Sequence, residues 1–130
     1  MKPIAIAAVF ASMIAGLVMV GPPSEARARK LDERRVEDLR GLASAVDLYR
    51  SRRGSLPASL QEATREQGNF SALGDPLTGQ PYPYRVVGVD QYEVCADFQR
   101  ASESEGRDWG FWSHARGPRC FELTSRSVPR

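Results

Sequence analysis

The chain has one histidine, two cysteines and almost no lysine: of its 18 basic residues, 16 are arginine. Those soft ligands are too few for a tetrahedral zinc site, which leaves only carboxylates and carbonyls for any metal. A block of one charge sign is also missing. Sixteen acidic residues alternate with the basic ones and the net charge is +2, whereas nucleic-acid binders usually carry a segregated basic face. No catalyst stands out either. Ser113 adjoins His114, but a triad is defined by geometry and not by adjacency. No spacing among the carboxylates marks a glycosidase-type pair, so the chain is expected not to be an enzyme.

What is present begins with one long apolar run. Pro3 to Gly21 carries no charge, and Ile4 to Val20 is a nearly continuous apolar stretch of 17 residues. That length lies between a signal-peptide core and a spanning helix. Lys2 gives a short positive flank, Gly21-Pro22-Pro23 breaks the run, and Ser24-Glu25-Ala26 offers small residues where a signal peptidase reads. Residues 1–26 are therefore expected to be a signal peptide cleaved after Ala26, or an uncleaved transmembrane anchor. Arg27, Arg29, Lys30, Arg34 and Arg35 follow directly, a charge order that runs against simple anchoring with the domain outside. Residues 27–130 are expected to form one domain, exported to the periplasm or held at the inner membrane facing it.

Ser24 is a candidate N-cap for a long charged helix over Glu25–Arg53, stopped by Gly54. Leu31, Leu39, Leu42, Val46 and Tyr49 make one apolar stripe, with Arg35 at the missing step. The stripe is the expected packing surface. Residues Arg27 to Asp38 are mostly charged, with opposite signs three and four apart such as Arg29–Glu33 and Arg34–Asp38. This pattern predicts a solvated helical stalk.

Beyond Gly54, Pro57 opens a short helix over Ala58–Gln67, ended by Gly68, and a turn-rich loop runs from Asn69 to Pro83. Tyr84–Val87 and Gln91–Phe98 suit strands joined by the hairpin Gly88-Val89-Asp90. Tyr92, Val94, Ala96 and Phe98 should face one side of the second strand, and Cys95 the other. Arg119–Leu123 suits a third strand, so Cys95 and Cys120 fall on neighbouring strands. In an oxidising compartment they are expected to pair, closing a loop of about 25 residues and contributing on the order of 3 kcal/mol. A redox-active pair is the alternative, although such cysteines usually sit close together at a helix start. The fold class is α+β: apolar segment, long helix, short helix and loop, and a small three-stranded antiparallel sheet with one disulfide.

Inside the loop closed by the cysteines lie Trp109, Phe111, Trp112 and His114. They either dock a partner or sugar, or fold back on the sheet as a satellite core.

The run Arg34-Arg35-Val36-Glu37-Asp38-Leu39, with Leu42, Ala45-Val46, Tyr49, Gly54 and Leu56-Pro57, resembles the type IV pilin-like proteins, most of all the major pseudopilins of type II secretion. Asp75-Pro76-Leu77-Thr78-Gly79 followed by Tyr82-Pro83-Tyr84, and Tyr92-Glu93-Val94-Cys95-Ala96, are similar to that family's loop and following strand. The likeness covers about residues 32–98. It implies a pilin-like, non-enzymatic protein working through contacts with itself or with secretion-system components. Calcium in a C-terminal loop is implied by the resemblance alone, with Asp97, Glu103, Glu105 and Asp108 in the corresponding region. The family's peptidase motif, Phe-Thr-Leu-Ile-Glu after a glycine, has no counterpart: Leu17-Val18-Met19-Val20-Gly21 follows Gly16. The glutamate that pairs with a neighbour's amine in a pilin fibre is therefore missing. A soluble periplasmic binding module using residues 109–114 is the alternative function.

Overall fold

A computed structural model of the protein describes residues 3–20, 23–65, 67, 74–102 and 110–126. The order is α1 (Pro3–Val20), α2 (Pro23–Arg53), α3 (Leu60–Arg65), β1 (Tyr84–Val86), β2 (Gln91–Phe98) and β3 (Gly117–Thr124). The α+β class, the hairpin and the three strands agree with the expectation from sequence.

The apolar run forms α1, an 18-residue helix about 27 Å long at 1.5 Å per residue. From Pro3 to Gly16 its side chains are exposed, with Ile4 80% and Phe10 61% accessible. Among the described residues no helix is long and apolar enough to cross a membrane, against the expectation of a transmembrane helix.

Helix α2 starts at Pro23, so Ser24 lies inside the first turn and is not the cap. Proline is suited to that position because its missing N–H would have no intrahelical partner. The helix ends as expected at Gly54. Its φ of +80° is a conformation open to glycine, and its N–H donates to the Arg50 carbonyl (2.7 Å), the left-handed cap that closes many helices. Helix α3 is shorter than predicted. Ser59, not Pro57, opens it, its Oγ accepting from the Glu62 N–H (3.2 Å), while Glu62 Oε2 accepts from the Ala58 N–H (3.0 Å). This is a variant of the capping box. The predicted stop at Gly68 lies outside the described residues.

The sheet order is β1-β2-β3, antiparallel throughout. The Val87 N–H donates to Gln91 O (2.9 Å) and closes the hairpin, so β1 stops at Val86. Strand β3 is longer than predicted, starting at Gly117, and tolerates Pro118 because it is an edge strand. Tyr92, Val94, Ala96 and Phe98 are buried as the alternation requires. They pack with Phe121, Tyr82, the α3 residues Leu60 and Ala63, and Val36, Leu39, Leu42, Ala45, Val46 and Tyr49 of α2. The apolar stripe of α2 from Leu39 to Tyr49 is thus consumed within its own domain, while Leu31 stays half-buried outside the core.

Candidate functional site

The N-terminal half of α2 is solvated at Arg27, Arg29, Lys30, Glu33, Arg34 and Glu37, as its charges predicted, but one face of it is not. Asp32, Arg35 and Asp38 are only 4%, 2% and 5% accessible. Arg35 occupies the missing step of the stripe and turns inward with the apolar residues. Its Nε and Nη2 donate to Asp75 Oδ2 (2.5 Å) and Oδ1 (3.1 Å), and its Nη1 donates to Asp32 Oδ1 (2.8 Å). Asp32 also accepts the main-chain N–H of Gln99 (3.0 Å) and of Arg100 (2.9 Å). One guanidinium therefore ties α2 to the 75–79 loop and to the chain leaving β2. One turn on, Asp38 accepts from Tyr82 OH (2.7 Å) and Arg34 Nε (3.1 Å). The Arg34–Asp38 pair was legible in sequence, but the long-range partners were not. The one available signal was an arginine standing in an apolar stripe.

The loop is shaped to meet Arg35. Asp75 Oδ1 accepts from the N–H of Leu77 (2.8 Å) and Thr78 (3.2 Å), an Asx turn. Asp75 N donates to Gln80 O (2.8 Å), and Gly74 bridges to Pro81. A Cβ on Gly74 would lie 2.8 Å from the Gly79 carbonyl oxygen, so this close approach requires glycine. Burial pushes the Asp75 carboxyl up, but the Arg35 hydrogen bonds and the two loop N–H groups outweigh it and its pKa is lowered. The hydrogen bond to Asp75, opposed by burial and joined by the bond to Asp32, raises that of Arg35. Burial, then the Asp38 hydrogen bond, pushes the Tyr82 hydroxyl well up. Groups so paired are committed to structure, and no nucleophile or general base is left poised among them.

Cys95 and Cys120 form a disulfide with a Cα separation of 4.0 Å, directly opposite one another on β2 and β3. They lie on the outer face of the sheet. Of the aromatic residues, Phe111, Trp112 and His114 come together and Trp109 lies outside the described residues. His114 is buried and stacks on Phe98 (centroids 3.6 Å, 15°). Its Nδ1 lies 3.0 Å from the Trp112 carbonyl, which can only accept, so Nδ1 carries the proton. Trp112 packs on Phe121 (4.9 Å), and Phe111 stays 54% exposed at the rim. Of the implied calcium carboxylates, Asp97 is exposed and Glu103, Glu105 and Asp108 lie outside the described residues. Among the described residues no group of three histidines, cysteines or carboxylates is placed to hold a metal ion.

A groove of about 810 Å³ opens beside the ion cluster. Ser24 and Ala28 of α2 form one wall, Pro81–Pro83 another, and the end of β2 with Arg116–Pro118 the third. No protein-family model, curated protein or solved structure matches the chain.

Proposed function

We propose that the chain is an exported, pseudopilin-like protein that works through protein–protein contacts, linked to a type II secretion or type IV pilus-like system. The observation carrying the proposal is an apolar helix, exposed from Pro3 to Gly16, followed by a folded α+β unit whose core among the described residues is built without it. An exposed helix of this kind is a delivery or tethering device. The Cys95–Cys120 bond supports an oxidising compartment such as the periplasm. The family likeness of residues 32–98 supplies the kind of partner. Phe111, exposed beside Trp112, favours the second reading, a periplasmic binding module using residues 109–114.

Photo-crosslinking in cells separates the two. A probe at the exposed Glu37 of α2 is expected to yield adducts with a secretion-system component or with the chain itself. Adducts formed only from position 111, or none from either position, would refute the first reading.

A further inference from the structure

Turns between strands are commonly built from glycine, proline, asparagine, aspartate and serine, but the tip joining β1 to β2 is rich in valine. Val86, Val87 and Val89 are 45%, 40% and 87% exposed. Successive side chains of a strand point to opposite faces, so Val86 and Val87 make the tip apolar on both. One apolar face suits a flat partner, whereas two suit end-on entry into an apolar medium. The main chain is prepared for such a medium, where an unpaired polar group is costly. The Val87 and Gly88 N–H groups both donate to Gln91 O (2.9 and 3.1 Å), and the Asp90 carbonyl accepts from the Ser125 N–H (2.7 Å). The Val89 carbonyl accepts from Arg50 Nη1 (3.4 Å).

Charge says what kind of medium would fit. Arg50, which bonds the tip, shares the last turn of α2 with Arg52 and Arg53. Arg126 follows the serine that holds Asp90, and both Arg52 and Arg126 are exposed. Asp90 is the carboxylate within the turn, and nearby Glu93 is already paired with Arg85 (2.7 Å). Guanidinium groups pair well with phosphate, and an apolar projection flanked by basic residues favours the interface of an anionic bilayer. We infer that the β1–β2 tip docks end-on at an anionic lipid surface. Val87 and Val89 enter the acyl boundary, and the arginines at that end of the domain lie at the headgroup phosphates. This lipid contact goes beyond the protein contacts proposed above and does not require α1 to reach a bilayer.

The test uses the full chain in a non-ionic amphipol that covers α1, with a bimane label at position 89 (V89C) or, as a control, at position 37 (E37C). Vesicles carry a nitroxide lipid in phosphatidylcholine, either alone or mixed with phosphatidylglycerol. Anionic vesicles are expected to quench the label at 89 about threefold or more and to leave the label at 37 unquenched. Neutral vesicles should need about tenfold more lipid for half-quenching. The R52E/R126E chain should show a similar shift on anionic vesicles, and V87D should weaken quenching at 89 on both. Absence of quenching at 89, equal quenching by neutral and anionic vesicles, or equal quenching at 37 would overturn the inference. So would a label that responds only to protein concentration, which marks a second copy on the tip. Those outcomes leave crosslinks from position 37 standing, and these test the protein contacts separately.

Discussion

Arg35 and Arg85 carry the same charge in different surroundings, and the contrast sets the size of what each contributes. Arg85 bonds Glu93 with its side chain 71% exposed, where an ion pair is worth about 0–1 kcal/mol. Arg35 is 2% exposed and shared by two carboxylates. Removing it leaves Asp32 and Asp75 without their counter-charge. Arg35→Ala should therefore cost about 3–5 kcal/mol, and R85A less than about 1 kcal/mol, read as midpoint shifts in denaturant unfolding. Equal small losses would mean that the cluster is a bystander. The same carboxylate fixes an acid response. The folded Asp75 pKa lies below its ordinary value, so its contribution is present above the unfolded pKa near 3.8. It is lost as pH falls further through the folded value. D75N should flatten that acid limb. At the alkaline end burial pushes the Tyr84 hydroxyl up to about 12, and its OH donates to the Pro57 carbonyl (2.8 Å). The folded state holds that proton longer, so stability should decline from about pH 10 to about 12. The Y84F chain should show a shallower decline.

Each element has one feature that local sequence could show and one that it could not. The apolar stripe of α2, its glycine cap and the alternation of β2 were legible because each is set within one or two turns or rungs. The burial of Asp32, Arg35 and Asp38 was not, because their partners Asp75, Tyr82 and Gln99 lie 40 to 67 residues away. The start of α3 was misplaced because Pro57 and Ser59 are both helix-opening signals, and only the Glu62 contacts decide between them. The disulfide was legible from strand placement alone. It closes 25 residues of chain between the central strand and one edge strand of a small sheet, so C95S with C120S should lower unfolding free energy by about 3 kcal/mol. Thermal melts of the oxidised and double-serine chains would check that. An unchanged melting point would show that β3 is held by the Phe121 cluster alone.

Across the whole molecule, two apolar surfaces have different fates. One stripe of α2 and one face of the sheet close on each other as a core, while α1 keeps its side chains from Pro3 to Gly16 exposed. The ion cluster then fastens the 75–79 loop where α2 begins and leaves a groove beside the end of β2. The α+β fold class was readable from the order of elements, but the groove was not, since it is built by residues distant in the chain. The account turns on export of the folded domain, and intact-mass spectrometry of the protein from fractionated cells tests that most directly. The prediction is a periplasmic or inner-membrane species with no free thiol, either complete or cut after Ala26. A cytoplasmic species with Met1 intact and two free thiols would contradict it.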